Sequence, residues 1–119
     1  MPVRSLTSSV LRWPDAQTTE LALRQWVQKA VAGHAGVLRV GYFGSLARGE
    51  WGVGSDLDLV IIMESADQPF EKRSAHWDTT ELPVPVDLLV YTRGEWESLD
   101  QTSRFYQTLT RETVWIYAR

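Results

Sequence analysis

Residues 41–63 read GYFGSLARGEWGVGSDLDLVIIM, and this stretch decides the fold. It predicts a strand, a glycine-bounded turn, a short helix, a loop and a second strand over 56–63. Asp56 and Asp58 open that second strand, one residue apart. Residues i and i+2 of a strand point to the same face, so both carboxylates leave one face at one end. Mg²⁺ takes oxygen ligands from one or two carboxylates together with substrate phosphates, and the pair suits it. Leu57, Leu59 and Ile61 fall on the opposite side, while Val60 and Ile62 share the face of the aspartates. Apolar residues on both faces predict a central strand buried on both sides, as in an α/β sheet.

Working outward, Val37 to Phe43 is β-prone and runs into Gly44-Ser45, the end of the first strand. Ser45 to Gly49 predicts the short helix and Glu50 to Gly54 the loop. Upstream, Leu23, Trp26, Val27, Ala30 and Val31 recur at helical spacing, predicting a helix over 16–32. Asp15, Thr18 or Thr19 can cap it, and Gly33 is placed to end it. Val10 to Trp13 reads either as a short edge strand or as a loose start, broken at Trp13-Pro14. Downstream, Asp67-Gln68-Pro69 resembles a cap with proline in the first turn, predicting a helix over 69–78. A third strand is expected over 84–91, with Val86, Leu88 and Val90 on one face and Asp87, Leu89 and Tyr91 on the other. A helix over 94–109 would align Trp96, Leu99, Tyr106 and Leu109, and a short strand over 113–117 closes the chain. The class is α/β (α+β): a small mixed sheet with helices packed mainly on one face.

The 119 residues favour one domain, residues 1–119, with a modest core. A net charge of −3 argues against a protein that coats nucleic acid, and stable nucleic-acid binding is not expected. A nucleotide carried with a metal is compatible, because the metal brings positive charge. The absence of cysteine excludes disulfides, thiol catalysis and thiolate-bound zinc, and a cytoplasmic setting fits it. No stretch has the length and apolarity of a signal peptide or membrane span. The six tryptophans are many for this length; some are core, and they could also mark a buried partner surface.

Three features carry chemistry. Gly44-Ser45 lets backbone approach a ligand, and the following helical turn offers N–H groups to phosphate. Asp56 and Asp58 are placed for metal. Asp87 joins them if the second and third strands are neighbours. Three such carboxylates repel one another unless something compensates, and metal does so. Two metals so held can activate an attacking oxygen and stabilise leaving pyrophosphate, while Asp87 could take the attacking group's proton. A lone Asp-x-Asp is more often a solvated strand end; the full spacing carries the weight here. His34, His76, Lys72, Arg73 and Arg93 fall outside the pattern and read as surface residues. Trp77 and Trp96 read as packing residues, and Tyr42 and Phe43 as core or, less readily, pocket mouth.

Gly44-Ser45-Leu46-Ala47-Arg48-Gly49 with Ser55-Asp56-Leu57-Asp58-Leu59-Val60 resembles the signature of the nucleotidyltransferase superfamily related to DNA polymerase β. The size and the Ala-Arg-Gly turn are similar to the minimal nucleotidyltransferases, the MNT-type antitoxins of two-gene toxin–antitoxin operons. Val86-Asp87-Leu88-Leu89-Val90 looks like the segment bearing the third family carboxylate, and residues 112–117 are loosely similar too.

The resemblance implies a polymerase β-like fold and an enzyme that moves NMP, AMP from ATP, onto a hydroxyl. Asp56, Asp58 and Asp87 would be the catalytic residues and the ligands of two Mg²⁺ ions, with Asp87 third ligand or base. Gly44, Ser45, Arg48, Gly49 and Ser55 would bind the nucleotide: Gly44 and Ser45 at the β- and γ-phosphates, Arg48 near the triphosphate or the acceptor. The implied partner is a HEPN-domain toxin, AMPylated on tyrosine, and a homo-oligomer is open. Two alternatives are a non-catalytic antitoxin that sequesters a helical partner and an aminoglycoside-type small-molecule nucleotidyltransferase. Trp51-Gly52-Val53-Gly54 departs from the usual polar stretch, and it would reshape the pocket or present Trp51 to a partner.

Overall fold

The computed structural model describes residues 13–119. The longest element is α1, Ala16–Gly33. Asp15 caps it, accepting from Thr18 N–H at 2.7 Å, which satisfies one of the donors a helix start leaves open. Strand β1 (Val37–Phe43) follows, then the single-turn helix α2 (Ser45–Arg48), β2 (Leu57–Met63) and α3 (Phe70–Arg73). The remainder is β3 (Val86–Thr92), α4 (Arg93–Glu97), α5 (Arg104–Glu112) and β4 (Val114–Ala118).

The four strands form one mixed sheet in the order β3-β2-β1-β4. Strand β1 is antiparallel to β2 and to β4, whereas β2 and β3 run parallel. The alternation read from β2 is the one observed. Leu57, Leu59 and Ile61 join the core beneath α1, with Leu23, Trp26 and Val27 of the helix and Leu88 and Val90 of β3. Leu23, Leu57, Leu59 and Ile61 are fully buried, each contributing about 1.5–3 kcal/mol. Val60, Ile62 and Tyr91 face the other way, into a smaller cluster with Phe43, Trp96, Leu99 and Trp115. Tyr42 is core, its hydroxyl donating to Glu20 at 2.7 Å.

Several expectations are corrected. Gly33 lies inside α1; the chain turns at extended His34 and at Gly36, whose φ is 89°. The helix expected over 69–78 is only α3 plus a 3₁₀ turn, Ser74–His76. Asp67 does not cap it; Pro69 holds that position without a side-chain bond. The helix stops because Trp77 turns into the core, stacked on His34 with ring centroids 3.8 Å apart. His34 is therefore a packing residue rather than a surface one. The third strand starts at Val86, two residues late, since Pro85 has no N–H to donate to a ladder.

The single helix expected over 94–109 is two helices. Asp100 Oδ1 accepts from the Thr102 N–H at 2.9 Å and its hydroxyl at 2.6 Å, and Ser103 caps α5 through Tyr106 N–H. Side chains of this type compete with helix for the backbone donors. Arg73, expected on a solvated face, is 8% exposed. It forms a fork with Glu95 at 2.6 and 2.9 Å and donates to the carbonyls of Gln68 and Val90. The edge strand considered for residues 10–13 lies outside the described residues except for Trp13, which is irregular. Among the described residues no helix is long and apolar enough to cross a membrane.

Candidate active site

The sheet gathers the sequence-predicted residues at one end, where β1 finishes and β2, β3 and β4 begin. Asp58 is the centre. It lies opposite Phe43 in β1 and opposite Asp87 in β3. Parallel pairing of β2 with β3 is thus what brings the third carboxylate in. Asp56 stands one residue before β2 on the face of Asp58; it and Asp87 are exposed, whereas Asp58 is half-buried. Burial pushes the Asp58 carboxyl above the ordinary carboxylate range, Asp87 and then Asp56 push it further, Arg48 opposes them, and Glu112 adds a smaller push.

Gly44 follows β1 directly, at φ 78° and ψ −151°, a region essentially reserved for glycine. The Asp58 carboxylate fills the place a side chain would take: a Cβ on Gly44 would strike Asp58 Oδ2 and stand 3.0 Å from its Cγ. The glycine is therefore required twice, for its conformation and for the room it gives Asp58. Helix α2 then turns back, Arg48 N–H donating to the Gly44 carbonyl at 3.0 Å. Gly49, at φ 75°, closes the turn in the left-handed conformation.

Arg48 is held between two acids, Nε on Glu50 at 2.8 Å and Nη1 on Glu112 at 3.3 Å. Glu112 also accepts from the Gly44 N–H at 2.7 Å. Sequence reasoning did not single out Glu112 as a site residue. The loose similarity of residues 112–117 was the available signal. Ser45 is half-buried beside this turn. Ser55 closes the 52–55 loop, its Oγ accepting from Gly52 N–H at 3.0 Å. Trp51 is partly buried: its indole N–H donates to the Pro14 carbonyl at 2.9 Å and its ring packs against the main core.

The donor set is all carboxylate oxygen, the preference of a hard cation such as Mg²⁺. Among the described residues no three such groups stand close enough to enclose an ion by themselves. The aspartates form an open rim. A cleft of about 430 Å³ between His34, Asp67, His76 and Trp77 belongs to the other end of the sheet and includes none of them.

At this end of the sheet a glycine-bounded turn faces a carboxylate pair drawn from two strands. Residues 23–116 match the family model described as nucleotidyltransferase domain, and the chain belongs to that family. Three solved structures share the fold. One is a Sulfolobus solfataricus protein described as a nucleotidyltransferase, 18% identical, covering 91% of each chain with a TM-score of 0.61. Another is a toxin–antitoxin complex with AMP-PNP, 14% identical, covering 81% of this chain and 73% of that one, TM-score 0.55. The third is a tyrosine-to-alanine mutant of the toxin–antitoxin MntA-HpeT, 15% identical, covering 84% and 72%, TM-score 0.56. No curated protein matches the chain in sequence.

Proposed function

We propose that this chain is the antitoxin of a toxin–antitoxin pair and acts by Mg²⁺-dependent transfer of AMP from ATP to a tyrosine hydroxyl of a helical HEPN-type toxin. The observation that carries the reading is the register of Asp58 with Asp87, beside a Gly44 that has no room for a side chain. Membership of the nucleotidyltransferase family supports the chemistry. The likeness of fold to two toxin–antitoxin structures, one described with AMP-PNP, supports the setting and the nucleotide.

Asp56, Asp58 and Asp87 would hold Mg²⁺, which when bound neutralises the carboxylates and the triphosphate oxygens. Gly44 and Ser45 place the β- and γ-phosphates against the turn, and the free edge of Arg48 faces the same anion. The acceptor oxygen attacks the α-phosphorus. The new P–O bond forms as the bond to the bridging oxygen breaks, pyrophosphate leaves, and Asp87 takes the hydroxyl proton. The open rim suits an acceptor carried on a second protein, since among the described residues Asp56 and Asp87 are left exposed.

The test is calorimetry with Mg²⁺-ATP, followed by incubation of this protein with labelled ATP and the product of the neighbouring open reading frame. The wild type is expected to bind nucleotide and label that product, and Asp56→Ala/Asp58→Ala to do neither. Neutralisation by that double variant, without labelling, would replace transfer by sequestration.

A further inference from the structure

Glu112 ends α5 where the chain turns into β4. Its backbone is fixed on both sides: Thr113 N–H donates to the Leu109 carbonyl at 2.9 Å, and Val114 already pairs with Tyr42 of β1. The side chain is 13% exposed and both oxygens are used. Oε2 accepts from Gly44 N–H at 2.7 Å, and Oε1 and Oε2 lie 3.3 and 3.4 Å from Arg48 Nη1. One carboxylate thus ties the residue before α2 to the last residue of α2, across 68 and 64 positions of sequence. No other side chain among the described residues hydrogen-bonds to Gly44.

We propose that Glu112 is a positioning residue for the nucleotide phosphates: it locks the Gly44-Ser45 turn against Asp58 and aims the Arg48 guanidinium. This rests on the nucleotidyl-transfer reading above. Two of the Arg48 nitrogens are committed to Glu50 and Glu112, and Nη2 has no partner among the described residues. The fork is therefore oriented by two acids with one edge left for an anion, a use that suits the rigid guanidinium. Gly44 needs such a tether because a glycine has more backbone freedom to lose than any other residue. Glu112 is poorly suited to act as a stand-in that phosphate expels. Expulsion would strand a largely buried carboxylate without either partner, which is costly.

Three variants test this: Glu112→Ala, Glu112→Asp and Glu112→Gln. Glutamine keeps an acceptor for the Gly44 N–H; aspartate keeps the charge but is one methylene too short. Mg²⁺-ATP affinity is measured by calorimetry, and Gly44 amide exchange by NMR without nucleotide. Alanine and aspartate are expected to weaken Mg²⁺-ATP binding by about tenfold or more and to speed Gly44 exchange, as expected when a hydrogen bond to a charged group is lost. Glutamine is expected to restore both to within about threefold of wild type, a rescue that loss of fold would not give. Wild-type affinity in Glu112→Asp, or tighter binding in Glu112→Ala, overturns the proposal. Absence of binding by the wild type overturns the functional reading and this inference with it; unchanged binding in the variants overturns the role of Glu112 alone.

Discussion

Replacing Gly44 by alanine tests whether the turn and Asp58 form one unit. Two costs are visible. The backbone, at φ 78° and ψ −151°, is one that L-residues avoid, worth about 1–3 kcal/mol. The new methyl would also collide with the Asp58 carboxylate, standing 3.0 Å from Cγ and 3.4 Å from Cβ, and overpacking of this kind costs about 1–3 kcal/mol. The sum is roughly 2–6 kcal/mol, or a fall in Tm of about 8–24 °C at about 4 °C per kcal/mol for a domain of this size. Gly49→Ala is the control. It shares a left-handed φ of 75° but has nothing within 4 Å of its Cβ, so it should cost only about 1 kcal/mol. The assay is urea unfolding of Gly44→Ala, Asp58→Ala and the double variant. Asp58→Ala removes the collision and leaves the backbone cost, so the cycle should show a coupling of about 1–3 kcal/mol. Mg²⁺-ATP binding should be lost in Gly44→Ala and kept in Gly49→Ala. Zero coupling, or equal losses at the two glycines, would refute the reasoning.

Gly41→Ala should destabilise by about 2–4 kcal/mol in urea, because its Cβ would meet Thr113 Cγ2 at 2.6 Å, Trp115 Cε3 at 2.8 Å and the Val114 carbonyl at 2.9 Å, forcing β4 off β1; wild-type stability would contradict the packing. Glu95 is held down to about 2 by the side-chain hydrogen bonds of Arg73. A depressed carboxyl stabilises the fold above its unfolded value and loses that stability as pH falls from about 4.5 toward about 2. Acid titration of Tm should show this loss, and Glu95→Gln should flatten it. Its size is roughly 1–2 kcal/mol, because solvent at a Glu95 side chain 42% exposed screens the pair. For Asp58 the sign is reversed. Its carboxyl is raised by burial, Asp87 and Asp56, so the folded state takes the proton more readily and ionisation costs stability at neutral pH. Asp58→Asn should raise the metal-free Tm at pH 7 and remove stabilisation by Mg²⁺-ATP. A lower Tm with the nucleotide effect intact would count against a carboxylate cluster.

The bounds of β1 and both faces of β2 were legible in the sequence because they depend on local facts: β-prone residues, a period of two, and glycines that stop a strand. Residues 41–63 by themselves aligned Asp56 and Asp58 and put a glycine-bounded turn before them. The sequence also held Asp87 on the correct face of its strand. Whether that strand lay beside β2, and in which register, was a matter of pairing, and only the sheet placed Asp87 opposite Asp58. Helix periodicity over 94–109 was real but insufficient, since Asp100 and Ser103 offered the backbone other partners. Arg73 looked like a solvated helix residue until β3 and α4 supplied two carbonyls and Glu95 around it. Glu112 was the least legible, because nothing near it in sequence foretells a partner 68 residues away. Local propensity and periodicity act through neighbours along the chain. The tether on Gly44 and the aim of Arg48 are set by strand pairing that ends α5 beside the turn, and that is a property of the tertiary structure alone.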